Sequence, residues 1–135
     1  MGKLYVSGMS DVSKQLLNES EKAKRAIPKM LNAGADILVD EEKKSIEQYF
    51  GKSKRSTGDL KRSIKKGKEK VKGSQLYIEV GASGKNRRNV SNATVGAIQQ
   101  RGRKNMDARP WYTDAYTKAD PKIREAMREE WENAT

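Results

Sequence analysis

The sequence contains no cysteine and no histidine, and among its 135 residues there are only one phenylalanine and three prolines. Without cysteine the chain has no disulfides and no thiolate ligands or nucleophiles. Without histidine it lacks the usual general base and the commonest metal ligand. No run of 18 apolar residues indicates a membrane span, and the first residues lack the apolar stretch of a signal peptide. These absences predict a protein with no cofactor, no metal site and no membrane partner, made and kept inside a cell or inside something assembled there.

Large apolar residues are also scarce. Leucine, isoleucine and valine occur seven times each, so that with the one phenylalanine they make up 22 of 135 residues. So low a content of large apolar residues, taken alone, is typical of disordered chains. The apolar residues nevertheless recur with helical and strand periods, which predicts a single folded domain over residues 1–135 with a lean core. Such a chain gains stability by burying surface against a partner.

The apolar spacing predicts an α+β fold in which a long N-terminal helical segment packs on a small antiparallel β-sheet, followed by C-terminal helices. Leu4 to Gly8 reads as a short strand or extended arm. Residues 11–50 read as one long kinked helix or two abutting helices, because Pro28 interrupts the pattern.

The second half of the chain predicts a hairpin, a loop and short helices. A β-hairpin is expected within residues 60–81, with strands at 62–71 and 75–81. Residues 81–93, rich in Gly, Ser and Asn, predict a mobile loop. Residues 94–135 predict short helices, one capped by Thr94 and another beginning at Asp120-Pro121.

The net charge of +11 is concentrated in the middle of the chain. Residues 51–73 carry a net +8, and residues 85–104 carry +6 with no acidic residue. Such cations can neutralise phosphates without reading sequence, although lysines on an edge strand also prevent aggregation. No sequence-reading motif accompanies them, so contact with double-stranded DNA is expected to be nonspecific. The candidate nucleic-acid-facing residues are Lys65, Lys66, Lys68, Lys70, Lys72, Lys85, Arg87, Arg88, Arg101 and Arg103.

Catalysis is not expected. With cysteine and histidine absent, a reaction would need a Ser–Lys or Thr–Lys pair or paired carboxylates. The candidate carboxylates, Asp40-Glu41-Glu42 and Glu129-Glu130, are predicted to lie on solvated helix exteriors. The sequence therefore predicts a protein that is not an enzyme.

An apolar cluster near the C-terminal helices has two interpretations. In the first, Trp111 packs in the core, and the fixed φ of Pro110 sets the direction in which the chain enters it. In the second, Trp111 anchors a contact with a neighbouring subunit. The candidate packing or interface anchors are Arg109, Pro110, Trp111, Tyr112 and Tyr116.

The order of short motifs resembles the tail-completion, or head-to-tail joining, proteins of tailed bacteriophages. Their Thr-Gly-x-Leu-x-x-Ser-Ile element is similar to residues 57–64, and their Ala-Arg-Pro-Phe element to residues 108–111, with Trp111 in the Phe position. Residues 99–103, Gln-Gln-Arg-Gly-Arg, stand where an aromatic residue, a Glu and a Gly-Thr are usual.

The resemblance implies a structural virion component, made in the cytoplasm of a bacterial host. It implies assembly with copies of itself into a ring, typically a hexamer, between tail-tube and head-connector proteins, with DNA passing through the lumen. The first rival is a nonspecific DNA-binding protein of a prophage or mobile element. A more distant rival is a hydrolase that uses lysines and carboxylates.

Overall fold

The computed structural model describes residues 3–5, 21–51, 58–72 and 75–134. Helix α1, Glu21–Phe50, is 30 residues long and therefore spans about 45 Å. Pro28 lies inside this single helix, so two abutting helices are ruled out over residues 21–50. Its neighbours Ile27 and Leu31 are buried, and their packing offsets the missing backbone hydrogen bond. The part of the predicted helix at residues 11–20 lies outside the described residues.

Helix α4, Trp111–Asn133, runs antiparallel to α1. The prediction that a helix begins at Asp120-Pro121 is wrong, because α4 passes through Pro121 without a break. Ala119 and Ile123, on either side of the proline, are both buried in the core. Their packing against α1 outweighs the helix-breaking preference of proline, and Asp120 pairs with Arg124 at 3.2 Å instead of capping a helix.

The sheet has a central strand provided by the second half of the predicted hairpin. Strand β1, Lys3–Tyr5, and strand β2, Ile64–Lys66, pair antiparallel with opposite edges of β5, Glu79–Ala82, in the order β1-β5-β2. Residues 6–8 of the predicted first strand lie outside the described residues. Strands β3, Lys70–Lys72, and β4, Gln75–Tyr77, form a separate two-stranded sheet, which is called the hairpin arm below. The predicted α+β fold is thus confirmed.

The first strand of the predicted hairpin starts too early. Residues 59–63 form a short helix, α2, Asp59–Ser63, which follows Gly58 at a left-handed φ of 78°. The Ser63 hydroxyl donates a hydrogen bond to the Leu60 carbonyl at 2.6 Å, which satisfies a carbonyl at the end of this helix. The apparent alternation of Leu60, Arg62 and Ile64 therefore spans a helix end and only the start of a strand.

The loop that follows β5 is shorter than predicted. Residues 81–82 belong to β5, and helix α3, Asn92–Arg101, begins before the predicted cap. Ser91, not Thr94, caps α3 by accepting a hydrogen bond from the Thr94 N–H at 3.4 Å. The connection closes through a Lys85–Ser91 bridge, and its mobility stays a prediction. Gly102 ends α3, as expected, at a φ of 74°.

The core consists of two clusters along α1. In the first, the part of α1 from Ala26 to Leu38 packs on Ile78 and Val80 of the β-layer and on α4. In the second, Ile46 and Phe50 pack on Ile64 and Trp111. Helix α1 is thus covered on two sides. None of the helices in the described ranges is both long and apolar enough to cross a bilayer.

Candidate interaction surfaces

The Arg-Pro-Trp segment joins three helices. Trp111 is 1% exposed, and its indole Nε1–H donates to the Gly96 carbonyl of α3 at 2.9 Å. The Ser45 hydroxyl of α1 donates to the Trp111 carbonyl at 2.5 Å. A Cβ atom at residue 96 would lie 2.9 Å from Trp111 Cζ2, so only glycine leaves room for the ring. The arrangement corresponds to the core-packing interpretation of Trp111.

The neighbouring anchor candidates face outward to different degrees. The Arg109 guanidinium lies 5.2 Å from the centre of the Phe50 ring, and Pro110 immediately precedes the first residue of α4. Tyr112 is half-buried and meets the Trp111 ring edge-on at 5.6 Å between centroids. Tyr116 is 45% exposed. The five residues therefore do not act as one unit, and Tyr116 presents a surface on which another molecule could pack.

The ten candidate cations form two groups. The arm group, Lys65 to Lys72, lies beside the middle of α1, where Lys66 Nζ contacts Asp36 Oδ1 at 2.8 Å. In the second group, Arg87 and Arg88 line a pocket together with Phe50 at the end of α1. The other members lie in the loop before α3, at the end of α3 and in the turn after it; they are Lys85, Arg101 and Arg103. The α1 residues beside the two groups, Asn32 and Phe50, are about 27 Å apart along the helix axis. The ten residues thus make two surfaces, not one.

Within the arm group, lysines differ in availability. Lys66 is held by Asp36 and also donates to Asn32 Oδ1 at 3.0 Å, and Lys70 lies 3.9 Å from the Glu79 carboxylate. The remaining lysines are exposed and have no ion-pair partner among the residues that the structure describes; they are Lys65, Lys68 and Lys72. These three are the arm cations available to an anionic partner.

Within the second group, Arg87 is already engaged. Its backbone N–H, Nε and Nη2 donate to the Asp59 carboxylate at 3.1, 3.1 and 3.0 Å, and Arg62 adds a contact of 2.6 Å. The Arg87 side chain above all holds the pKa of Asp59 well below its usual range, and Asp59 in turn raises the pKa of Arg87. Arg87 therefore ties the loop to α2 and is not a free phosphate ligand. The other members of this group are exposed; they are Lys85, Arg88, Arg101 and Arg103.

A groove of about 580 Å³ opens beside this second group. Its apolar lining combines residues from α1, α2, the loop and α3: Ile46, Phe50, Leu60, Val90, Val95 and Met106. Its charged lining includes cations and two carboxylates that are paired with cations: Lys61, Arg88, Arg109, Glu47 and Asp59. Sequence reasoning missed this groove, because its wall is assembled from separate segments. The visible signal was Val90 and Met106, apolar residues that stand alone in polar, basic stretches.

Two buried amides also line the groove. Asn92 is 4% exposed, and its Nδ2 donates to the Ser83 carbonyl at 2.9 Å. Its Oδ1 and the Oε1 of Gln99 have no hydrogen-bond partner in the described part of the chain. An unpaired buried acceptor is costly, and this wall of the groove contains two of them.

The prediction that Glu41 and Glu42 lie on a solvated face is wrong. Glu41 is 5% and Glu42 1% exposed, because α1 is covered by both the sheet and α4. Glu41 accepts a hydrogen bond from Lys122 at 2.5 Å. Burial raises the pKa of Glu42 to about 8, so that it is mostly protonated at neutral pH. Over the described ranges, no three His, Cys, Asp or Glu side chains are grouped so that they could hold a metal ion.

The fold and its surfaces define a small α+β protein with a cationic arm at one place and an apolar, cation-edged groove at another. The family model described as "Bacteriophage HK97-gp10, putative tail-component" matches residues 10–100, and the chain belongs to this HK97-gp10-like family. The phage resemblance of the sequence is thereby confirmed. The match ends before the Arg-Pro-Trp segment and α4. Neither the comparison with curated proteins nor that with solved structures found a match.

Proposed function

We propose that this phage tail component is a structural protein that assembles with copies of itself into a ring at the head–tail interface, through which DNA passes. The observation that carries the proposal, beside the family, is the arm group of lysines, which extends from β2 to the hairpin arm. Its available lysines, Lys65, Lys68 and Lys72, lie apart from the groove. Flexible, strongly hydrated lysine side chains suit weak contact with passing phosphates better than tight, specific binding.

Surface that a monomer leaves exposed supports self-association. Tyr116 on α4 is 45% exposed, and Val90 beside the groove is 42% exposed. The large aliphatic and Phe side chains are few, so a lone copy has little further apolar area to bury. Contacts between copies would bury these side chains and add stability by mass action. A structural role of this kind requires no catalytic group and no cofactor.

The test measures assembly and head-to-tail joining together. Sedimentation velocity of the purified protein, with and without the tail-tube protein, should show a defined oligomer. Replacing Lys68 and Lys72 by Gln should leave folding and oligomer size unchanged but alter the yield of joined particles. The matched control replaces two helix lysines, Lys44 and Lys118, by Gln and should leave joining unchanged. Unchanged joining in the arm variant would remove the DNA-facing role of the arm, and a protein that stays monomeric with its partner would refute the ring.

The second candidate is a nonspecific DNA-binding protein of a prophage or mobile element. It is favoured by the presence of two separate cationic surfaces, which together could follow a duplex. Titration of duplex DNA at several salt concentrations separates the two functions. Tight binding by the monomer, with a steep salt dependence that falls when both surfaces are neutralised, would favour this candidate. Weak binding accompanied by ring formation supports the joining function.

A further inference from the structure

The two cationic surfaces differ in chemistry. The cations of the arm group are all lysines, whereas three of the four exposed cations of the second group, Arg88, Arg101 and Arg103, are arginines. Arg101 ends α3, and Arg103 begins a tight turn that closes on Met106 of the groove lining. Arginine forms paired hydrogen bonds with carboxylates and is enriched at protein interfaces. Arg88 and Arg109 line the apolar groove, and its carboxylates, Glu47 and Asp59, are already paired with cations. The groove therefore suits a protein segment that carries carboxylates.

The chain itself carries such a segment. Among the described residues, the carboxylates at the end of α4 have no ion-pair partner; they are Glu129, Glu130 and Glu132. Cations near them are engaged elsewhere. Lys22 Nζ lies 4.5 Å from the centre of the Trp131 ring, and Arg128 contacts Glu125 at 3.2 Å. The last turn of α4 thus presents free negative charge beside a half-buried tryptophan.

The groove and the acidic turn cannot meet within one copy. The groove adjoins Arg109, two residues before α4 begins, and Glu129 lies 18 residues after Trp111, which is about 27 Å along the axis. Two different, complementary surfaces at opposite ends of a molecule produce a head-to-tail contact. Contacts of this type close into rings when the rotation between copies permits.

We infer that the last turn of α4 of one copy docks on the groove of the next, with its glutamates against the arginines of the groove edge. This inference rests on the ring assembly proposed above and gives that ring a specific interface. The arm lysines then remain free of the contact between copies, and the two cationic surfaces have different partners: DNA for the arm and a second copy of this chain for the groove.

Charge reversal tests the interface. One variant carries Arg101→Glu and Arg103→Glu, and the other carries Glu129→Arg and Glu132→Arg. All four side chains are exposed, so both variants should fold, and circular dichroism can verify this. Each variant alone should self-associate at least about tenfold more weakly than the wild type, because like charges would face each other. An equimolar mixture should recover association, since every contact between unlike copies again joins opposite charges.

The control variant carries Lys68→Glu and Lys72→Glu on the arm and should associate like the wild type. Should the groove-edge variant fail to fold, Arg101→Gln with Arg103→Gln replaces it, with a smaller loss expected. If neither charge reversal weakens association, this interface is overturned, but the ring proposal is not. Loss in both variants without recovery in the mixture would also overturn it. A wild type that never associates would overturn the ring proposal itself.

Discussion

Replacing Glu42 by Gln should stabilise the protein at pH 8 and reduce the dependence of its stability on pH. Glu42 is 1% exposed, its Oε2 has no hydrogen-bond partner in the described structure, and burial raises its pKa from 4.5 to about 8. In the unfolded chain the same carboxyl ionises at its ordinary pKa. Between these values unfolding releases a proton, so the free energy of unfolding falls as pH rises.

The size of the effect follows from the difference between the two pKa values. Each pH unit between about 4.5 and 8 should cost the wild type up to about 1.4 kcal/mol of stability from this group, and the whole interval up to about 5 kcal/mol. The stabilising contribution of neutral Glu42 is complete below the unfolded pKa and is lost as pH rises through the folded one. Gln keeps the shape and remains neutral, so the loss should disappear from the variant.

Denaturant titrations of the wild type and Glu42→Gln at pH 5.5 and pH 8 measure the effect. The stability difference between variant and wild type should grow by several kcal/mol over this interval. Glu47→Gln is the matched control, because its side chain lies on the same helix but is 58% exposed; it should behave like the wild type. Parallel pH dependences for the wild type and Glu42→Gln would refute the assignment of a buried, neutral carboxyl.

Other variants test the packing of the groove end. Trp111→Ala should lower the free energy of unfolding by roughly 3–5 kcal/mol, as measured by denaturant titration; a loss below about 1 kcal/mol would contradict its core position. Gly96→Ala should also destabilise, because its Cβ would meet the Trp111 ring at 2.9 Å, whereas Gly67→Ala, with 3.5 Å to its nearest neighbour, should not. Asp59→Asn should speed hydrogen exchange at the Arg87 backbone amide, which donates to the Asp59 carboxylate. Because the contacts with Arg87 lower the pKa of Asp59, this carboxylate should protect the amide in the wild type until the pH falls well into the acid range. Equal exchange in both proteins would argue against the tie between loop and α2.

The spacing of apolar residues and the residue types at helix ends predicted much of the fold. The second predicted strand, at residues 75–81, contains Ile78 and Val80, which are both fully buried in the core. The predicted end of the first helical segment at residue 50 agrees with α1, which ends at Phe50, directly before Gly51. These features depend on local backbone chemistry, which neighbouring residues determine.

The errors arose where contacts between distant residues decide the structure. Pro121 has a strong local preference for a helix start, yet packing of Ala119 and Ile123 on α1 carries the helix through it. The burial of Glu42 depends on a second covered face of α1 that the periodicity did not reveal. Arg87 was expected to be available to phosphate, but its partner Asp59 lies 28 residues earlier.

The order of strands in the sheet also constrains when it can form during synthesis. Strand β1 is synthesised first, but among the described strands it pairs only with β5. Tyr5 therefore has no partner until Glu79 has been synthesised. The hairpin formed by β2 and β5 can close as soon as Ala82 has emerged, and β1 then joins its open side. Because such long-range pairing is slow, β1 is expected to be the last of the three strands to pair, and until then the β5 edge stays open to pairing with other chains.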